Sequence, residues 1–354
     1  MERVLMKGNE AIAEAAISAG VRYYFGYPIT PQNELLEYMS RRLPEVDGCF
    51  LQSESELAAV SMVYGAVSAG KRAMTSSSSP GISLMQEGIS YLASAELPAF
   101  IVNISRGGPG LGRITPAQSD YTQATRGGGH GDYRILVFAP ASVQEMADLT
   151  ILAIELGEKY RIPTMLLGDS IVGQGMEAVR LEAPRMNETE KKWAATGAFE
   201  RERNLVLSAP FTDAELIDLN RKLQAKYAEI IEKETRYEEH YVEEAEIVVV
   251  AFGIVSRFAI EAIENLREEG FRVGLIRPIT LWPFPETQIQ KLARKVNSFL
   301  VVEMNEGQML QDVKLAVEGN VPVHFFGEGG GFITGPYEIE SQLRTLLKER
   351  RGDE

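Results

Sequence analysis

From residue 1 to about 180, short apolar runs alternate with stretches patterned for helices, and this alternation constrains the fold more than any other feature. Strand-like runs fall at 21–25, 48–52, 72–76, 99–104, 135–139 and 163–167, and helical patterns at 9–19, 32–42, 55–69, 82–94 and 142–158. Strands separated by helix-length connections pair in parallel, and a parallel sheet needs helices on both faces. An α/β domain over 1–180 is therefore expected. In such a sheet the C-terminal ends of the strands share one rim, where ligands bind.

Residues 181–245 are rich in Glu, Lys and Arg. Thr212-Asp-Ala-Glu215 reads as a capping box, followed at helical spacing by Leu216, Leu219, Leu223, Tyr227 and Ile230. This is a charged helical connector laid on a domain surface, with a partner-binding arm as the alternative. From 246 the alternation resumes, with buried-strand runs at 247–251, 273–276 and 299–302, so a second, smaller α/β domain is expected over 246–354.

Bulk properties exclude several classes of function. The 354 residues are 45% hydrophobic, ample for two or three cores. A net charge of −14 argues against nucleic acid, whose binding requires clustered Lys and Arg. The single cysteine, Cys49, cannot make a disulfide framework or ligate an iron–sulfur cluster, and is expected as a small buried hydrophobe. The three histidines, His130, His240 and His324, lie too far apart in sequence to suggest a metal site. No apolar run reaches the roughly 18 residues of a membrane span, and the N-terminal stretch with its two glutamates does not read as a signal peptide. A cytoplasmic protein is expected.

Polar turns follow the strand candidates. In Gly26-Tyr-Pro-Ile-Thr-Pro31, glycine permits a tight path and Pro31 suits a first helical turn. Thr30 would then be the helix N-cap, with N–H groups able to hold an anion. Glu54 and Glu56 begin a helical stretch. Dipole pairing explains them, unless one carboxylate points into the crevice at the rim. Thr75-Ser-Ser-Ser-Ser-Pro-Gly81 and Arg106-Gly-Gly-Pro-Gly-Leu-Gly112 are turns of the same kind, and on a parallel sheet all of these lie on one rim. The glycines at 108–112 lack the G-x-G-x-x-G spacing and the first βα position of a dinucleotide loop, and no P-loop or G-x-S-x-G elbow occurs. Gly127-Gly-Gly-His130-Gly-Asp132 reads either as a loop needing unusual backbone angles or as a site element, and Gly327-Glu-Gly-Gly-Gly331 as a mobile loop or interface element.

Taken in order, Lys7-Gly-Asn-Glu10, Tyr27-Pro-Ile-Thr-Pro31, Glu54-Ser-Glu56, Ser79-Pro-Gly-Ile-Ser-Leu-Met-Gln-Glu87, Arg106-Gly-Gly-Pro109 and Asp132-Tyr133 resemble the α subunit of 2-oxoacid:ferredoxin oxidoreductases over nearly the whole chain. The run Gly127 to Tyr133 is most similar to the branched-chain, 2-oxoisovalerate type, with the 2-oxoglutarate type a near neighbour. The resemblance implies two parallel-sheet α/β domains, one of the thiamine-diphosphate pyrimidine-binding type and one like the transketolase C-terminal domain. It implies oxidative decarboxylation of a 2-oxoacid, with CoA as acyl acceptor and ferredoxin as electron acceptor.

By motif position it also implies roles for single residues. Glu56, which fits the family spacing to Tyr64-Gly65 better than Glu54 does, would bond N1′ of the aminopyrimidine and favour the imino tautomer that removes the C2 proton. Thr30 and Arg106 would hold the substrate, and Tyr27, Pro28 and Ile29 would line the cofactor. A β subunit would carry the diphosphate, Mg²⁺ and a cluster, joined in some complexes by γ and ferredoxin-like δ subunits. The sequence agrees in one respect. Thiamine enzymes hold the diphosphate with Gly-Asp-Gly and a later Asn, whereas Gly168-Asp-Ser170 lacks the third glycine and Asn187 stands too near. The alternatives are a self-sufficient NAD-type dehydrogenase, which the broken glycine pattern disfavours, and a non-catalytic scaffold subunit.

Overall fold

In the computed structural model, which describes residues 3–181 and 191–351, two sheets carry the fold and a two-stranded ribbon ties off the first. The first sheet has seven strands in the order Thr280–Trp282, Leu136–Phe138, Thr164–Asp169, Phe100–Ser105, Ala73–Ser77, Tyr23–Gly26 and Cys49–Gln52. All pairings are parallel except that of Thr280–Trp282, which crosses over from the second unit to form an antiparallel edge. Every residue of Ala73–Ser77, Phe100–Ser105 and Thr164–Asp169 is buried. Strands covered on both faces carry no polar–apolar alternation, which is why these runs read as continuous. Apart from Thr75 and Thr164, they turn polar only toward their C-terminal ends, at Ser76-Ser77, Asn103, Ser105 and Asp169.

The chain goes from Tyr23–Gly26 outward to Cys49–Gln52, then returns past its first strand to Ala73–Ser77. Right-handed crossovers in opposite directions put helices on opposite faces. Helix Asn33–Glu45 packs with Gly8–Ser18, which also meets Val143–Tyr160, while Glu56–Ser68 packs with Ser79–Ser94. The reversal opens a crevice between the ends of Tyr23–Gly26 and Ala73–Ser77, the topological switch point of the sheet.

The second sheet runs Val323–Gly327, Ser298–Glu303, Ile247–Val250, Val273–Pro278, Tyr237–His240, parallel apart from the last strand. Its own switch point, between Ile247–Val250 and Ser298–Glu303, is filled from the first unit. Gln118 donates to the Phe252 carbonyl at 2.9 Å and accepts from Met304 N at 3.1 Å. Helix Asp213–Glu234, with the expected capping box of Thr212 and Glu215, buries Leu223, Tyr227 and Ile230. Its first turn stands clear: Leu216 and Ile217 are exposed. Farther along, Lys226 pairs with Glu96 at 2.6 Å, and Tyr227 meets Trp282 edge-on, ring centroids 5.5 Å apart.

The α/β fold class is as expected; some local readings are not. Cys49 is exposed rather than buried, because it opens the edge strand of the first sheet. The helix read from 82 begins at Ser79, with Pro80 in its first turn. The antiparallel ribbon of Val4–Lys7 with Met176–Val179 was not foreseen. No helix among the described residues is long and apolar enough to cross a membrane.

Candidate active site

Three βα turns meet at the first switch point, and a fourth, after Ala73–Ser77, supplies Ser79 and Gly81 between them. In the opening turn, Thr30 is not the N-cap: helix Asn33–Glu45 is preceded by Gln32, which makes no side-chain cap. The carbonyls before the helix are bonded elsewhere: that of Thr30 accepts from Arg106 Nη1 at 3.0 Å and that of Pro31 from Asn9 Nδ2 at 2.8 Å. Gln32 is instead a buried brace. Its Oε1 accepts from Ser76 Oγ at 2.6 Å, and that hydroxyl lies 2.7 Å from the hydroxyl of Tyr24. Gly26 is needed for space rather than for unusual dihedrals, since a Cβ there would collide with the Tyr24 hydroxyl. Above this brace Tyr27 and Pro28 are exposed, and Ile29 and Thr30 half-buried.

The second strand-to-helix connection presents the acid. Ser55 caps helix Glu56–Ser68 by accepting from Ala58 N at 3.2 Å, which places Glu56 as the first helical residue. Glu56 is 5% exposed, whereas Glu54, before the cap, lies in solvent. The Glu56 carboxylate faces Ser77 Oγ at 3.5 Å and the backbone of Gly81, where a Cβ would collide with Oε1. A carboxylate held at a helix N-terminus in this crevice is aimed by its surroundings.

The third turn carries Arg106, 7% exposed. Its guanidinium donates to the Thr30 carbonyl and, through Nη2, to the Leu111 carbonyl at 2.7 Å. Its Nε is buried and has no protein partner. Two of its five N–H donors thus staple the opening turn to the 106–113 loop. Its main chain is fixed as well: Arg106 N donates to Ser79 Oγ at 2.9 Å. Thus Thr30, Arg106, Ser79, Gly81 and Glu56 form one continuous wall.

A residue that sequence reasoning missed lies behind this wall. Asp120 is 8% exposed and accepts from Ser79 Oγ at 2.6 Å and Asn103 Nδ2 at 2.9 Å, both at Oδ2. Burial raises its pKa, opposed by the bonds from Ser79 and Asn103. It sits in no recognisable motif, and only the strand register, which sets Ser77 beside Asn103, brings its partners together.

The remaining glycine-rich stretches are placed as follows. His130 and Asp132 are exposed, and the loop is pinned by Gly128 N donating to Gln86 Oε1 at 2.7 Å. Gly331 packs on the third turn, where a Cβ would lie 2.5 Å from Thr115 Oγ1. Asp169 caps the short helix Ser170–Gln174, its Oδ1 accepting from Ile171 N and Val172 N. Asn187 lies outside the described residues. Among the described residues no group of three or more His, Cys, Asp or Glu is arranged to hold a metal ion.

This fold and site define a class. Residues 14–246 match the family described as pyruvate flavodoxin/ferredoxin oxidoreductase, thiamine diphosphate-binding, and residues 245–339 match core domain II of pyruvate:ferredoxin oxidoreductase. The chain belongs to this family, as a subunit of a 2-oxoacid:ferredoxin oxidoreductase. It is 49% identical to the ketoisovalerate oxidoreductase subunit VorB of Methanothermobacter marburgensis, over 99% of each chain. It is 37% identical to the 2-oxoglutarate synthase subunit KorA of Methanothermobacter thermautotrophicus, over 99% of this chain and 100% of that one. Its fold matches a solved 2-oxoglutarate:ferredoxin oxidoreductase from Magnetococcus marinus, in a structure with 2-oxoglutarate, coenzyme A and succinyl-CoA bound. The TM-score is 0.86 at 24% identity, covering 98% of this chain and 65% of that one.

Proposed function

We propose that this chain is the α subunit of a branched-chain, 2-oxoisovalerate-type oxidoreductase that converts 3-methyl-2-oxobutanoate to its acyl-CoA and passes the electrons to ferredoxin. Residues 1–180 would be the pyrimidine-binding domain, 181–245 a connector, and 246–354 the transketolase C-terminal-like domain. The observation that carries this reading is the burial of Glu56 against Gly81 at the switch point, on the same wall as Arg106 and Thr30.

The residues present suit half of a thiamine diphosphate site. A buried carboxylate in an open-lipped crevice fits the pyrimidine end, with Tyr27, Pro28 and Ile29 as the lip against the ring. Asp169 is engaged in capping, so the diphosphate, Mg²⁺ and the iron–sulfur cluster would belong to a β subunit, with γ and δ subunits as further members. When bound, the cofactor supplies an electron sink for decarboxylation. Glu56 would hold a proton at N1′ of the aminopyrimidine. Arg106 would present its unengaged N–H groups, Nε among them, to the substrate carboxylate, and Thr30 would stand beside the keto oxygen. We place the assembled enzyme in the cytoplasm.

The test is the co-purified complex, assayed for CoA-dependent ferredoxin reduction. We expect kcat/KM for 3-methyl-2-oxobutanoate to exceed that for 2-oxoglutarate by at least ~10-fold, the discrimination a fitted apolar pocket supplies. Preference for 2-oxoglutarate would instead favour the second reading, a 2-oxoglutarate:ferredoxin oxidoreductase.

A further inference from the structure

We propose that Asp120 is the positioning residue of the oxoacid carboxylate site, acting on Arg106 through the hydroxyl of Ser79. The inference rests on the role of Arg106 proposed above. Ser79 Oγ lies between the two: it donates to Asp120 Oδ2 at 2.6 Å and accepts from Arg106 N at 2.9 Å. The same Oδ2 accepts from Asn103 Nδ2 at 2.9 Å, and Asn103 Oδ1 accepts from Ser79 N at 3.1 Å. One carboxylate oxygen therefore joins the start of helix Ser79–Ser94, just past strand Ala73–Ser77, to the neighbouring strand Phe100–Ser105.

Geometry alone would allow Asp120 to be an ordinary buried acceptor. Its anchorage argues for more. On its N-terminal side Gln118 is tied to Phe252, Met304 and Asn305 of the second unit, Asn305 Nδ2 donating to the Gln118 carbonyl at 2.9 Å. On its C-terminal side the Tyr121 hydroxyl donates to Asp312 at 2.5 Å, and Thr122 N donates to Gln308 Oε1 at 2.7 Å. Asp120 is thus fixed from both sides by the second unit and transmits that fixed frame to the main chain of Arg106. Arg106 in turn holds Thr30 and Leu111, so a shift of its main chain moves the whole carboxylate-facing wall. Misplacement by about 1 Å at such a wall costs about 100-fold in kcat/KM, and because the wall holds the carboxylate in ground and transition state alike, the loss falls on KM.

The test uses the assembled complex. Asp120→Ala removes both bonds at Oδ2; it is expected to raise KM for the 2-oxoacid about 100-fold, with kcat altered far less and thiamine diphosphate affinity unchanged. Asp120→Asn keeps an acceptor oxygen in place, and should restore KM to within about 5-fold of the parent. Should Asp120→Ala not fold, Ser79→Ala breaks the same relay and carries the same expectation. Arg106→Lys separates the two proposals. If Arg106→Lys raises KM while Asp120→Ala and Ser79→Ala do not, the relay is overturned and the Arg106 role stands. If Arg106→Lys leaves KM unchanged, the Arg106 role fails and the relay with it. A double variant, Ser79→Ala with Arg106→Lys, should cost little more than the larger single change, because both act on one group.

Discussion

Gly81 stands against Glu56 so closely that a Cβ on the glycine would collide with Oε1 of the acid and with Oγ of Ser77. Alanine is the better helix former by about 1 kcal/mol, so on propensity alone Gly81→Ala would stabilise the helix that begins at Ser79. Contact reverses the sign for function. The methyl group must displace the Glu56 carboxylate from the crevice. We expect turnover of the complex to fall by about 100-fold or more, with a melting temperature near that of the parent. Steady-state assay beside thermal unfolding checks both halves.

Asp169 is buried, and its pKa is pushed up to about 6 by loss of solvation, partly offset by backbone N–H groups of Val172 and Ile171. A raised folded-state value means that the stability it contributes is present below the ordinary 3.8 and lost as pH rises through about 6. At neutral pH folding is then about 3 kcal/mol less favourable than with this carboxylate protonated in both folded and unfolded states. Asparagine can cap Ile171 and Val172 without the charge. Asp169→Asn is therefore expected to be more stable than the parent at pH 7.5, with the difference closing as pH falls from 6 to 4. Chemical denaturation of both proteins at several pH values measures this; a difference that does not vary with pH contradicts it.

Across the seam between the units, Tyr121 donates to Asp312, which also pairs with Arg126. Burial and the adjacent Asp312 charge hold the Tyr121 phenol well above its usual range, so it stays a donor at any working pH. Tyr121→Phe keeps the ring packed near Phe252 but leaves a carboxylate short of a partner. A loss of about 1–3 kcal/mol is expected. Because the bond joins the two units, the denaturation profile should show the second unit loosening first, read by hydrogen exchange in Gln308–Val317.

How much of this was legible in the sequence follows from the range of the forces involved. Burial on both faces of a sheet imprints itself on a local run of residues, so strands such as Phe100–Ser105 and Thr164–Asp169 could be placed from their apolar content. The gathering of the turns after Gly26, Ser77 and Ser105 at one rim follows from parallel pairing alone. Thr30 misled: its carbonyl is bonded to Arg106, which lies 76 residues away. Asp120 left no signal, since its partners Ser79 and Asn103 come from two other elements. Cys49 was misjudged for the same reason: the edge position of its strand is a property of the whole sheet.

The most direct test of the account is Glu56→Gln in the assembled complex, read by exchange of the C2 proton of bound thiamine diphosphate for deuterium. Glutamine fills the same space beside Gly81 and Ser77, so assembly and cofactor affinity should hold. The exchange rate should fall by about 100- to 10,000-fold, the usual contribution of a positioned acid–base group. Exchange at a near-parental rate, with the complex intact and the cofactor bound, would show that Glu56 is a buried helix-start residue and not the acid of this site.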